Sequence, residues 1–334
     1  KSGANFWIGK TYEKLGDLEK SKSAWQEASL QDPNGYYSER ASEKLLGLTP
    51  LTSLNSVNLQ VNLEQERLIA EVWMRNTFTL PPDTNFITLS PFLADPTFIR
   101  ANAYWELGLY QQGRNEFETL RTMYENDAVN LFRLTNHFIE IGLYRSAIYA
   151  SRQILDLANI DEFASLNAPL WFNHIRFGLY FDEIVLNAAE EYNFDPVLLF
   201  SLIRQESFFE GFIVSSAGAK GLMQIMPATG DEIANLLKWP LNYQESDLYR
   251  PTINIRMGTS YLSRMRTYFN GDLFAALAAY NAGPGNVTNW LEKADNDPDL
   301  FLEIIPFEET RRYLRNIYSF YRIYETLYPV RTVQ

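Results

Sequence analysis

The chain has no cysteine in its 334 residues. That excludes disulfides and thiolate-held metals, and it leaves the cellular compartment open. Histidine is nearly absent too: only His137 and His174 occur. Neither stands beside a Ser/Asp pair or a metal-type cluster, so both read as ordinary packing or surface residues. No run of 18 apolar residues exists to cross a bilayer as a helix. Basic charge is scarce as well. The formal net charge is −12, shared evenly between the two halves, with no Lys/Arg patch, and this argues against a nucleic-acid partner. The opening KSGANFWIGKTYEKLG reads as helix interior and carries no signal-peptide pattern.

The composition that remains is globular. Hydrophobic residues make up 46% and aromatics 15%, enough for two domains, each with its own core. So many aromatics serve either helix packing or a carbohydrate groove, and packing accounts for most of them. The first half carries a repeat. Ile8, Gly9, Tyr12, Trp25, Ala28 and Pro33 fall where a tetratricopeptide unit places its packing residues. In that reading the first helix puts Ile8, Tyr12 and Leu15 on one face, Gly16-Asp17 turns, and Ala24, Trp25 and Ala28 pack from the second helix. A helix over 35–46 follows. The pattern returns at Tyr104–Tyr110 and at Phe138–Tyr144, and Gly108 and Gly142 stand 34 residues apart, the period of that repeat. The array is interrupted over 48–97, where a helix is predicted at 63–78. Leu157–Ala168 is the expected junction.

The second half centres on SLIRQESFFEGFIVSSAGAKGLMQIMPAT, residues 201–229. Asp195-Pro196 suits the start of a helix. Leu198, Leu199, Leu202 and Ile203 then line the side on which Glu206 falls. A carboxylate on an apolar face is the anomaly. Burial raises a carboxyl pKa and suits a general acid; the competing reading is a glutamate paired with a buried arginine such as Arg204. Ser215, Ser216, Gly218 and Gly221 allow a loop to pass close to the helix end. If 222–226 is extended, Gln224 and Met226 share one side. Glu210 reads as a solvated loop residue, although it is the obvious second carboxylate. Further on, Phe274–Ala282 is a small-residue helix stopped by Gly283-Pro284, with Tyr280 and Asn281 in its last turn. Pro306 opens a C-terminal helix whose buried stripe is Tyr313, Ile317, Phe320 and Tyr324. Trp239 and Trp290 are candidates for stacking on sugars, but such residues are more often core.

Three motifs stand in one order and spacing. They are Glu206-Ser207, Gly221-Leu222-Met223-Gln224-Ile225-Met226-Pro227-Ala228-Thr229 and Ala278-Ala279-Tyr280-Asn281-Ala282-Gly283-Pro284-Gly285. Together with Ile305–Arg311 they make the region from about Ala168 to Leu327 strongly resemble the soluble lytic transglycosylase family, whose catalytic domain is goose-lysozyme-like. The first half resembles, more loosely, the superhelical region of its large soluble members. The resemblance implies that Glu206 is the catalytic acid/base and that Ser215, Gln224, Met226, Tyr280 and Asn281 lie in the glycan groove. It also implies Glu309 near the peptide-bearing side and Tyr313 near the cleft. The loop 208–214 is more hydrophobic than the usual Asn-Pro-type version, which bears on subsite preference.

The expectations are therefore as follows. The fold is all-α: an irregular α-solenoid over 1–167, then a lysozyme-like helical catalytic domain over 168–334 with a small β element at 221–226. By resemblance, the function is cleavage of the β-1,4 bond between N-acetylmuramic acid and N-acetylglucosamine with formation of a 1,6-anhydromuramyl end, Glu206 being the sole acid/base. The alternatives are a hydrolytic muramidase of the same fold and a non-catalytic peptidoglycan-binding scaffold. No metal or cofactor is required. The partners are peptidoglycan glycan strands, with cell-wall proteins reached through the repeats, and the location is the cell envelope.

Overall fold

The computed structural model describes residues 1–32, 35–53, 57–162, 164–295 and 297–329. Its seventeen α-helices, among the described residues, are α1 (Ser2–Lys14), α2 (Leu18–Gln31), α3 (Tyr36–Leu46), α4 (Leu63–Thr77), α5 (Pro96–Glu106), α6 (Tyr110–Met123), α7 (Ala128–Glu140), α8 (Tyr144–Leu157), α9 (Leu170–Arg176), α10 (Asp182–Tyr192), α11 (Pro196–Ser207), α12 (Pro227–Leu237), α13 (Pro251–Tyr268), α14 (Leu273–Ala282), α15 (Pro284–Ala294), α16 (Pro298–Ile304) and α17 (Glu308–Leu327). The all-α class is as expected. In place of a β element at 221–226 there are only isolated bridges, Val214 to Lys220 and Lys220 to Ile225, beside a turn.

Two compact units form, and each draws on both sides of residue 167. The first comprises Lys1–Asn58, Leu186–Gln205 and Met257–Gln334; the second comprises Leu59–Val185 and Glu206–Arg256.

In the first unit, α1 to α3 close over Phe6, Trp25, Ala28 and Ala41. The Trp25 ring would meet any side chain added at Gly9, and its Nε1 donates to the Phe6 carbonyl at 3.2 Å. The packed face of α1 therefore runs through Phe6 and Gly9. The expected face is not it: Ile8 and Leu15 are 45% and 73% exposed. Pro33, expected to end the repeat, lies outside the described residues. A chain of buried ion pairs ties α3 to α16 and α17. Asp299 accepts from Arg40 Nε at 2.9 Å and from Lys10 Nζ at 2.8 Å, while Glu43 takes Arg40 on one oxygen and Arg322 on the other. Burial alone would raise the Asp299 pKa, but Arg40 and Lys10 hold it below the usual carboxylate value. Tyr313, Ile317 and Tyr324 of α17 are buried, as expected, while Phe320 is half-buried with the Arg204 guanidinium 4.8 Å over its ring. The helix starts at Glu308, two residues after Pro306.

In the second unit, α5/α6 and α7/α8 are the two repeats read from the sequence. Gly108 and Gly142 end the first helix of each pair with φ of +73° and +77°, the left-handed region that glycine enters at little cost. Trp105 Nε1 donates to the Ile141 carbonyl at 3.2 Å and links one repeat to the next. The interruption carries α4, close to its predicted span, packed on α9, and Phe86 and Phe92 from the turns after α4 fill the common core. His174 is buried with Nδ1 2.8 Å from a Glu66 carboxylate oxygen.

His137 is buried among Phe98, Phe117 and Phe138, and neither ring nitrogen meets a hydrogen-bond partner among the described residues. Burial holds its pKa below the imidazole value, with Glu140 opposing. The unfolded chain therefore binds this proton first as pH falls. The His137 contribution to stability is intact above about pH 6.5 and is lost as pH falls below it, by at most about 1.4 kcal/mol per pH unit. Urea unfolding of wild type and His137→Phe between pH 7.5 and 5 tests this: the variant is expected to show the shallower loss.

Candidate active site

Two helical capping events position Glu206. Asp195 accepts the Val197 N–H at 2.8 Å at the start of α11 and is itself held by the Tyr321 hydroxyl at 2.8 Å. Leu198, Leu199, Leu202 and Ile203 are buried, as the apolar face requires. At the other end α11 stops at Ser207. Glu206 sits in this last turn and is half-buried rather than fully buried, which corrects the expectation of an enclosed acid. Its neighbours are fixed. Gln205, in the first unit, accepts from Asn316 Nδ2 at 3.0 Å. Ser207, in the second, donates its hydroxyl to the Leu222 carbonyl at 2.8 Å.

The turn after α11 is strained. Phe208 and Phe209 have φ of +50° and +63°, consecutive left-handed positions held by bulky residues, at about 1–3 kcal/mol each. Aromatic contacts within the second unit hold them: Phe208 lies 5.7 Å from Tyr149 and Phe209 lies 5.2 Å from Tyr180. Phe212 stacks on Tyr110 at 5.6 Å and meets Trp105 edge-on. The hydrophobic character of 208–214 thus serves docking onto the repeats. Glu210 is not a solvated loop residue. It is 3% exposed, and its Oε2 accepts from Arg114 Nη1 and Arg145 Nη1, each at 3.2 Å. Burial raises its pKa, partly offset by the two arginines.

The glycine loop folds onto a buried asparagine. Gly221 has φ +77°, and a Cβ there would fall 2.2 Å from the Leu248 carbonyl oxygen and 2.4 Å from Asn254 Nδ2. Asn254, fully buried, accepts the Met223 N–H at 2.7 Å and donates to the Lys220 and Leu248 carbonyls at 2.9 and 2.7 Å. Residues 221–224 therefore form a turn, and the extended alternation expected for 222–226 does not occur. Leu222, Met223 and Ile225 point inward. Gln224 takes φ +47°, stays half-buried and donates Nε2 to the Gly221 carbonyl at 2.8 Å. Met226 precedes α12 and is 42% exposed. Ser215 accepts the Ala219 N–H on its hydroxyl at 3.0 Å.

In the first unit, Tyr280 and Asn281 occupy the last turn of α14 before Gly283, as expected. Tyr280 packs edge-on against Tyr261 at 5.4 Å. The Thr310 hydroxyl donates to Asn281 Oδ1 at 2.7 Å, which joins this turn to the first turn of α17, where Glu309 is exposed; Tyr313 is buried one turn on. Glu206, Ser215, Gln224 and Met226 thus belong to the second unit, and Tyr280, Asn281, Glu309 and Tyr313 to the first. Trp290 is buried, and Trp239 is half-buried with the Arg256 guanidinium 4.5 Å over its ring. Sequence reasoning missed Asn254, and it missed Arg114 and Arg145 as partners of Glu210. Asn254 carried a usable signal, an asparagine between buried Ile253 and Ile255; the arginines carried none.

Residues 183–300 match the family model described as the transglycosylase SLT domain. Over those residues the chain is similar to the lytic transglycosylases. The chain is 35% identical over 161 residues to the soluble lytic murein transglycosylase of Salmonella typhimurium, and 34% identical over 161 residues to that of Escherichia coli strain K12. Each alignment covers 47% of this chain and 25% of the relative, so the chain spans a quarter of the curated relatives it matches. Among solved structures, an inactive glutamate-to-glutamine mutant of lytic transglycosylase Slt from Pseudomonas aeruginosa superposes with a TM-score of 0.66 at 25% identity, covering 98% of this chain and 46% of that one. The 70-kDa soluble lytic transglycosylase of Escherichia coli gives 0.66 at 22% identity, covering 99% and 48%, and supports the fold alone.

Removing the asparagine at the turn gives a direct test of how the loop is held. Asn254→Ala removes three buried hydrogen bonds, to the Met223 N–H and to the Lys220 and Leu248 carbonyls, of which the Lys220 carbonyl keeps the Ile225 N–H at 3.0 Å; each main-chain group left unsatisfied costs about 1–3 kcal/mol. The variant is expected to lower unfolding free energy by about 3 kcal/mol or more, read from the urea midpoint.

Proposed function

We propose that this chain is a peptidoglycan lytic transglycosylase of the cell envelope, with residues 168–334 as its catalytic domain, residues 1–167 as its helical scaffold, and Glu206 as its only acid/base. The observation that carries the reading is the domain match over 183–300, which contains Glu206, Gln224, Tyr280 and Asn281. The Pseudomonas aeruginosa relative is described as inactive with one glutamate replaced by glutamine, which favours a glutamate acid in the family. The engagement of Glu210 by two arginines favours a single-carboxylate mechanism, because it removes the obvious second carboxylate from service.

In that mechanism Glu206 gives its proton to the glycosidic oxygen as the bond from C1 of the muramyl sugar breaks. The oxygen of the muramyl 2-acetamido group stabilises C1 from the opposite face, so no protein nucleophile is needed. Glu206, now a carboxylate, takes the proton of the C6 hydroxyl, and that oxygen closes on C1 as the acetamido oxygen withdraws. The product is the 1,6-anhydro end, Glu206 is again protonated, and no water is consumed. The protein's task is to position the sugar and exclude water. On the resemblance, Ser215, Gln224 and Met226 of the second unit and Tyr280, Asn281, Glu309 and Tyr313 of the first are proposed glycan contacts. The exposed faces of the repeats are proposed to meet cell-wall protein partners.

Digestion of cell-wall sacculi followed by mass spectrometry of the products tests this directly. Anhydromuramyl ends are expected from wild type; reducing ends alone would establish the hydrolytic alternative. Glu206→Gln is expected to lower the rate at least about 100-fold, the usual weight of general acid–base catalysis. Unchanged cleavage by that variant would leave only the non-catalytic binding role.

A further inference from the structure

We infer that the repeat helices α6 and α8 act as a positioning clamp for the catalytic helix end, with Arg114 and Arg145 holding Glu210 and thereby fixing the orientation of Glu206. The inference rests on the assignment of Glu206 as the acid. Its observations all lie within the second unit.

Glu206 is two residues before Phe208, and Phe208 and Phe209 are both left-handed. Such a pair persists only where its surroundings over-determine it. The surroundings here are contributed by the repeats. Tyr149 of α8 meets the Phe208 ring at 5.7 Å. Arg145, also of α8, lies 5.4 Å over the Tyr149 ring and binds Glu210 with its Nη1. Arg114 of α6 binds the same carboxylate oxygen. The Glu210 side chain is 1% exposed, whereas those of Arg114 and Arg145 are 20% and 29% exposed. The carboxylate is thus sealed at the seam, and the two guanidiniums reach it from the rim of the repeats. Two guanidiniums converge on one buried oxygen. They fix where the turn stands, and the turn sets the direction of the last residues of α11. A displacement of about 1 Å at a reacting group is enough to lower turnover about 100-fold. Glu118 also acts on the carboxylate and is itself paired with Arg121 at 2.8 Å.

The test is the steady-state kinetics of the double variant Arg114→Met/Arg145→Met on solubilised glycan strands, with Arg145→Lys, Phe208→Gly and Glu206→Gln measured in parallel. Circular dichroism and thermal unfolding of each variant establish the folded fraction. The expected result is a fall in kcat per folded molecule of about tenfold or more in the double variant, with KM changed less than about twofold, and recovery of most of kcat in Arg145→Lys. Should the double variant fail to fold, Phe208→Gly carries the same expectation, because it frees the turn while removing only a half-buried ring. Undiminished kcat in the folded clamp variants, with Glu206→Gln inactive, overturns the positioning role alone. Activity retained in Glu206→Gln overturns the acid assignment and this inference with it.

Discussion

The structure of the candidate site depends on where one helix stops. α11 must end at Ser207, because the next two residues are left-handed and cannot continue a right-handed helix. The stop is enforced without a glycine or proline at the boundary. It is enforced by side chains: Ser207 closes on the Leu222 carbonyl, Phe209 is buried against Tyr180, and Glu210 is sealed beneath two arginines. A helix end held by packing and charge tolerates little substitution, whereas one held by a glycine would be indifferent to its neighbours.

The same principle recurs at the glycine turn. Gly221 gives the backbone its left-handed step, but the turn is held by Asn254, whose amide satisfies three main-chain groups at once. Few side chains can both donate twice and accept in so small a volume. In the first unit a different solution appears. Arg40, Glu43, Asp299 and Arg322 alternate in charge through the interior, and each carboxylate meets two cations. Such a network adds little net stability over an apolar core, yet losing one member leaves its partner charged and buried. It specifies how α3, α16 and α17 pack.

Much of this was legible in the sequence. The repeats showed themselves because Gly108 and Gly142 stand 34 residues apart, and Gly16, Gly108 and Gly142 do take positive φ. The Tyr280-Asn281 helix end followed from the local Gly283-Pro284 signal. Other readings failed for identifiable reasons. The stretch at 222–226 alternates in hydrophobicity, but a tight turn also sends Leu222, Met223 and Ile225 inward, and period alone does not separate the two. Glu210 was placed in solvent because a charged residue in a loop usually is, and its partners lie 65 and 96 residues away in the chain. The first repeat misled in a different way. Ile8 and Leu15 look like core residues, yet Gly9 brings the Trp25 ring so close that the packed face rotates toward Phe6.

On the proposed reading, the fate of Glu210 also bears on how a single glutamate suffices. A second carboxylate facing the sugar would supply either a nucleophile or a base for water, and both routes lead to hydrolysis. Here the candidate sits beneath Arg114 and Arg145, with burial pushing its pKa up. Its chemistry is spent on structure. On the proposed reading, Glu206 gives up its proton and regains one from the substrate, which supplies both the closing oxygen and the second proton. An N-acetylated sugar with a free C6 hydroxyl provides both. On that reading, the chain spends its second acid on anchoring the first.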